Sequence, residues 1–105
     1  MKTIMEIRKD LQEIRYYYLR LKTFENIKDY RINTIIEKVK KYNDFVQDAS
    51  PKLYDVYVSL YIKNHTQESL SNELGFTKGY IYKLNKSLMQ FLLEKFSNEE
   101  NQIAV

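Results

Sequence analysis

The sequence predicts an all-α fold, in which a long N-terminal helical hairpin precedes a unit of three further helices. Turn-forming residues are scarce, with two Gly and one Pro in 105 residues, and this favours long helices over many short strands. Apolar residues recur every three or four positions in both halves of the chain, which is the spacing of one helix face. The 44% hydrophobic content is enough for one small core.

The first helix is predicted over residues 2–22. Six apolar residues there are spaced alternately by three and four positions, which is the a/d seam of a heptad pattern. The seam consists of Ile4, Ile7, Leu11, Ile14, Tyr18 and Leu21.

A second helix follows a predicted break at residues 23–29 and repeats the same spacing. Two further residues, Ile36 and Phe45, widen its apolar stripe into a core-facing surface. An antiparallel hairpin is the natural arrangement of two such helices. The seam could be satisfied within one chain by this hairpin, or it could form a homodimer interface. The spaced residues of the second helix are Ile32, Ile35, Val39, Tyr42 and Val46.

A third helix is predicted to begin at Pro51, with Ser50 as its N-cap, because the missing N–H of proline is no loss in the first turn. This helix runs to about Lys63. Thr66 is then placed to cap a fourth helix over residues 67–74. The apolar face of the third helix consists of Leu53, Val56, Tyr57, Leu60 and Tyr61.

Gly75 is predicted to end the fourth helix in the left-handed conformation, and Thr77 to cap the last one. The last helix is expected to run from Lys78 to about Phe96. The predicted organisation is therefore a hairpin at residues 1–48 for dimerisation or partner contact, a three-helix unit at 50–96, and a flexible tail at 97–105.

The short connection between the last two helices predicts a helix-turn-helix. This motif needs apolar residues that hold two helices at a steep angle, a small residue where they cross, and a Gly at the turn. Ser71 is the small residue and Gly75 lies in the turn. The buried positions are predicted to be Leu70, Leu74, Phe76, Ile81 and Leu84, with Leu88 and Leu92 continuing into the core.

The segment "TQESLSNELGFTKGYIYKLNKSLMQFL" at residues 66–92, with the aromatic helix "LYDVYVSLYIKN" at 53–64, resembles the region 4 helix-turn-helix of sigma-70 factors. It is also similar to small phage transcriptional regulators of the RinA and ArpU type. The resemblance implies that the second helix of the motif, from Lys78, enters the major groove of double-stranded DNA.

The outer face of the last helix is locally cationic, because no acidic residue lies between Glu73 and Glu94. Lysines neutralise phosphates and can donate to acceptors on guanine in the major groove. A Gly inside a helix suggests close backbone approach, either by a partner helix or by DNA. The alternative is that these lysines belong to an ordinary solvated helix face with no binding role. The predicted DNA-contacting residues are Gln67, Ser69, Thr77, Lys78, Gly79, Tyr82, Lys83 and Lys86.

Several classes of function are not expected. The chain has no Cys and a single histidine, His65, so neither a disulfide framework nor a paired metal-ligand spacing is available. No catalytic set and no phosphate-binding Gly-rich loop are found, so no enzyme activity, metal or cofactor is predicted. Charges interrupt the N-terminal apolar run, which predicts neither a signal peptide nor a membrane span but a protein of the bacterial cytoplasm.

The sequence therefore predicts a sequence-specific DNA-binding transcriptional regulator, encoded by a phage or mobile element. Its N-terminal helices would form a homodimer or contact RNA polymerase. One alternative is a helical protein-interaction module that acts on host RNA polymerase. Another is a DNA-packaging subunit similar to the phage small terminases, which assemble into rings.

Overall fold

The structure, a computed structural model, describes residues 1–23 and 30–103, with side chains for 1–21 and 34–101. Regular structure within these residues is entirely helical and contains no strand, which confirms the all-α prediction. The helices are α1 (Ile4–Thr23), α2 (Tyr30–Val46), α3 (Pro51–Tyr57), α4 (Gln67–Leu74) and α5 (Lys78–Ile103). The predicted break at residues 23–29 lies, apart from Thr23, outside the described residues.

Helix α3 continues without interruption into a π-helical segment, Val58–Ile62. The Lys63 N–H closes this segment by donating to the Val58 carbonyl, five residues earlier, at 2.8 Å. The predicted extent of the third helix is therefore confirmed, but its last turn is wider than an α-helical turn.

The predicted helix caps are confirmed. Ser50 accepts a hydrogen bond from the Leu53 N–H, and Thr66 accepts one from the Ser69 N–H at 3.0 Å. Gly75 ends α4 with φ of 71°, in the left-handed region that favours glycine. Thr77 begins α5 by accepting a hydrogen bond from the Tyr80 N–H at 3.1 Å. Local sequence thus fixes where these helices start and stop.

One hydrophobic core joins all five helices. The α1 seam is packed inside its own chain, since Ile7, Leu11 and Ile14 are all at most 1% exposed. Leu21, in the last turn of α1, is 49% exposed, so its predicted place in the seam is wrong. The prediction for Ile32 falls outside the described side chains. The other buried hydrophobic residues are Val39, Tyr42, Val46, Val56, Tyr57, Leu60, Tyr61, Leu70, Ile81, Leu88, Met89 and Leu92.

Helix α5 extends to Ile103, so the predicted end of the last helix near Phe96 is wrong and residues 97–103 of the predicted tail are helical. Tertiary contacts explain this extension. The Phe96 ring packs edge-on against the Phe45 ring, with centroids 5.0 Å apart. Further along, the Lys41 Nζ lies 2.5 Å from a Glu99 carboxylate oxygen. These contacts to α2 hold a polar stretch that has little apolar periodicity of its own.

A buried carboxylate links α1 to α2. Asp10 is 4% exposed and accepts from the Tyr42 hydroxyl at 2.7 Å, from Lys2 at 2.6 Å and from Lys38 at 3.1 Å. Burial alone would raise the pKa of Asp10, but the hydrogen bonds from Lys2, Tyr42 and Lys38 outweigh it and lower that pKa. We call these four residues the Asp10 cluster. Lys38 also lies 2.8 Å from a Glu13 carboxylate oxygen, so each lysine is paired within the chain.

Candidate nucleic-acid interface

Helices α4 and α5 are joined by the turn at residues 75–77 and cross through a small buried contact. Leu70 and Ile81 are at most 1% exposed, and Leu84 packs against the core beside them. Ser71, the small residue predicted at the crossing, is 8% exposed and donates a hydrogen bond to the Phe76 carbonyl. The serine therefore holds the turn onto α4 as well as leaving room for α5.

Two residues predicted to be buried at this crossing are exposed. Leu74 is 46% exposed and Phe76 is 41% exposed. Gly75 reverses the chain between them in the left-handed conformation, and the Phe76 ring packs edge-on against Tyr80, with centroids 4.9 Å apart. Phe76 thus finds a neighbour on α5 at the surface, and Leu70 and Ile81 hold the crossing.

The first two to three turns of α5 present one continuous exposed face. Its opposite side is anchored in the core by Ile81 and Leu88, which are both fully buried. This is the arrangement expected of an amphipathic helix that lies on a core and leaves its polar face accessible. The exposed face consists of Thr77, Lys78, Gly79, Tyr82, Lys83 and Lys86.

Positive charge on this face is only weakly neutralised. Lys78 lies 3.4 Å from a Glu68 carboxylate oxygen, but both side chains are 68% exposed, and such surface pairs contribute little free energy. In the described part of the chain, neither Lys83 nor Lys86 pairs with a carboxylate. The Lys86 Nζ instead lies 5.4 Å from the centroid of the Tyr82 ring, a cation–π contact that keeps the charge at the surface.

Gly79 lies on the same face and has open space around it. A Cβ built at this position would meet only the Thr77 Oγ1, at 4.0 Å. A close approach by a partner helix of the same chain is therefore wrong as an explanation of this glycine. An approach from outside the chain remains a prediction.

The two predicted contacts on α4 have different surroundings. Gln67 is half-buried and lines a groove between α1 and α5. Ser69 is committed to the helix start, because its Oγ accepts from the Thr66 N–H at 3.0 Å and donates to the Thr66 carbonyl at 3.1 Å. Ser69 is therefore a less available DNA ligand than Gln67.

That groove, which we call the α1–α5 groove, has a volume of about 340 Å³. Helix α1 contributes two arginines and a glutamine, which the sequence did not single out as a functional set. Their only sequence signal is a spacing of four and then three positions, which places them on one face of a helix. The groove is lined by Arg8, Gln12, Arg15, Leu60, Tyr61, Gln67, Tyr82, Asn85 and Met89.

The inner wall of the groove contains a buried polar pair. The Tyr61 hydroxyl donates to the Asn85 Oδ1 at 2.6 Å. Burial raises the pKa of Tyr61, against the opposing effects of the Asn85 hydrogen bond and of the positive charges on Arg15 and Arg8. Tyr61 is therefore a neutral donor at physiological pH, and both arginines act electrostatically on this wall.

Other kinds of site are not seen in residues 1–23 and 30–103. No group of three or more His, Asp or Glu side chains there could hold a metal ion. His65 lies with its Nε2 3.7 Å from a Glu73 carboxylate oxygen, at the surface before α4. In the same ranges, no helix has the length and apolar character needed to cross a membrane.

Comparison of the chain with protein-family models, with curated proteins and with solved structures finds no match.

Proposed function

We propose that this protein is a sequence-specific double-stranded DNA-binding transcriptional regulator of phage or mobile-element origin. Helix α5, from Lys78, would enter the major groove. The observation that carries the proposal is the exposed face of α5, where Lys83 and Lys86 have no carboxylate partner in the described residues while the opposite side is fully buried. A helix anchored in this way can be inserted into a groove without rearrangement of the core.

The chemistry of this face suits DNA. Lysines neutralise phosphates and release counterions, and their ammonium groups can donate to guanine O6 and N7. Tyr82 is 51% exposed and can contact a thymine methyl group or a phosphate. Thr77 and Gly79 lie at the start of α5, where exposed backbone N–H groups attract phosphate.

The first experiment is selection of genomic DNA fragments with the purified protein, followed by sequencing. An enriched motif is expected, and a palindromic one would favour a homodimer that binds two half-sites about 34 Å apart or at a multiple of that spacing. The absence of enrichment at low salt would contradict the proposal.

The second experiment tests the face itself. Lys83→Ala and Lys86→Ala should each weaken DNA binding and reduce the slope of log affinity against log salt concentration by about one. Lys40→Ala, which removes an exposed lysine from α2, is the matched control and should leave the slope unchanged. Equal slopes in all four proteins would remove α5 from the interface.

One observation favours a second candidate, a protein-interaction module acting on host RNA polymerase. Four large hydrophobic side chains in residues 51–101 are more than a third exposed, namely Tyr54, Leu74, Phe76 and Tyr82. Aromatic and aliphatic side chains of this kind anchor protein interfaces. Binding of purified polymerase that is lost in Phe76→Ala, together with no DNA enrichment, would favour this candidate. Molecular mass in solution would separate a monomer or dimer from a ring like that of the small terminases.

A further inference from the structure

The α1–α5 groove has the charge of an anion site. Arg8 and Arg15 lie along it, and none of its nine lining residues is acidic. Arg8 is exposed, whereas Arg15 is half-buried and donates through its Nε to the Asn64 Oδ1 at 3.3 Å. One guanidinium is therefore free to move towards a ligand, and the other is held in place by the chain.

An amide donor in the same groove has no acceptor within the described residues. Asn85 is 9% exposed, and its Oδ1 already accepts from the Tyr61 hydroxyl. Its amide nitrogen makes no hydrogen bond to any residue in the described ranges. This nitrogen is reached from the groove, so its N–H groups are available to a ligand. An acceptor supplied by a ligand in the groove would complete it.

These features define the ligand chemically. It must carry negative charge for the arginines and several acceptor oxygens for the arginine and amide N–H groups, and phosphate provides both. The groove volume of about 340 Å³ lies at the small end of ligand sites and leaves room for more than a phosphate alone. Tyr82 offers an aromatic surface at one side.

We propose that the α1–α5 groove binds the phosphate group of a nucleotide, with Arg8 and Arg15 as counter-charges and the Asn85 amide as a further N–H donor. The nucleotide has two sources, the backbone of bound DNA or a free mononucleotide. In the first case α1 becomes part of the DNA interface, since Gln67 and Tyr82 belong to both surfaces; in the second, the groove is a separate small-molecule site.

The first arm of the test measures DNA binding as a function of salt. Arg8→Gln removes one charge from the groove, and Lys9→Gln removes one charge from an adjacent exposed residue of α1 outside it. If the DNA backbone occupies the groove, Arg8→Gln should lower the slope of log affinity against log salt by about one and Lys9→Gln should not.

The second arm needs no DNA. Inorganic phosphate and deoxyadenosine monophosphate are titrated into the full chain while the Asn85 side-chain N–H resonances are followed by NMR. A saturable shift is expected, and it should be weakened severalfold in Arg8→Gln but not in Lys9→Gln. Asn85→Asp keeps an acceptor for the Tyr61 hydroxyl but replaces the donors with negative charge, so it should abolish saturation of the remaining groove resonances.

The outcomes are distinguishable. A slope change in Arg8→Gln supports the groove with DNA as the source, and saturation by the mononucleotide without a slope change supports it with a free ligand. Equal slopes in both variants and no saturation would overturn the proposal. If the wild-type chain binds no DNA, the proposed regulatory function fails and the NMR arm alone decides the groove. Should Asn85→Asp not fold, the exposed Arg8→Gln variant carries the same comparison.

Discussion

Two polar regions lie on different sides of helix α1, and they treat charge in opposite ways. In the Asp10 cluster, a buried carboxylate receives hydrogen bonds from two lysines and a tyrosine. In the α1–α5 groove, two arginines and the Asn85 amide line a space with no acidic lining residue. The charged groups of the Asp10 cluster are paired within the chain, whereas the groove retains N–H donors that could bind a ligand.

This difference separates what holds the fold from what is available for binding. A buried, paired carboxylate stabilises the helices that it joins, and removal of one partner exposes the others to the full cost of burial. An exposed cation contributes little to folding because water already solvates it. Changes to the two regions should therefore move different measurements, unfolding for the Asp10 cluster and ligand binding for the groove and the α5 face.

The largest effect is expected from Asp10→Ala. This change leaves the buried Tyr42 hydroxyl without its acceptor and Lys2 without its carboxylate, while Lys38 keeps its pair with Glu13 at 2.8 Å. It should lower the free energy of unfolding by about 3 kcal/mol. Urea denaturation followed by circular dichroism gives the value. Arg8→Gln, the matching loss of one charge on the groove side of α1, should change it by less than about 0.5 kcal/mol. Equal losses in the two variants would break the comparison.

Lowering the pH should also remove the stability that the Asp10 carboxylate contributes. The pKa of Asp10 is lowered in the folded chain, so its contribution to stability is fully present above the unfolded-state pKa of about 3.9. That contribution is lost as the pH falls through the lower folded-state pKa. The difference in unfolding free energy between wild type and Asp10→Asn should be constant from about pH 7 to pH 5 and shrink below about pH 4.

Urea titrations at each pH measure this difference directly. Because both proteins share every other carboxylate, subtraction removes most of the general acid effect. A difference that grew as the pH fell would mean that the folded-state pKa of Asp10 is raised rather than lowered.

The smallest effects concern the two glycines, and they should have opposite signs. Gly75 has φ of 71° with no atom within 4 Å of a built Cβ, so Gly75→Ala costs only its backbone strain, about 1 kcal/mol. Gly79 is the second residue of α5 and has open space around it, so Gly79→Ala should stabilise the fold by less than the roughly 1 kcal/mol of a helix interior. Thermal unfolding of both variants checks the signs.

Gly79→Ala also sharpens the contrast between folding and binding. If DNA approaches the α5 backbone closely, this variant should bind DNA more weakly although it is more stable. Unchanged or tighter DNA binding would show that the glycine serves no contact there.

The local features of this fold could be predicted from the sequence because their causes are local. Ser50, Thr66 and Gly75 act within three or four residues of themselves, and their roles follow from side-chain chemistry and backbone preference alone. The buried faces of α1 and α3 were likewise accessible from apolar spacing, since a helix must bury its apolar stripe.

The features that could not be predicted depend on helices distant in sequence. The last turns of α5 are held by ring packing and an ion pair with α2. Apolar periodicity within α5 does not predict either contact. Leu74 and Phe76 are exposed because Leu70 and Ile81 fill the contact between α4 and α5, and apolar spacing alone does not specify which residues do so. The groove could not be predicted for the same kind of reason, since Arg8 and Asn85 line one groove only because α1 packs against α5.

The connection between the π-helical segment and α4 contains a residue with an unusual backbone conformation. Asn64 adopts φ of 63°, which is uncommon for a residue other than glycine, and Arg15 of α1 donates to both its side chain and its carbonyl. Because Arg15 also lines the α1–α5 groove, one side chain belongs to two equilibria. Binding of a ligand to Arg15 in the proposed site would therefore be thermodynamically linked to the conformation of this connection, with the same coupling free energy in both directions.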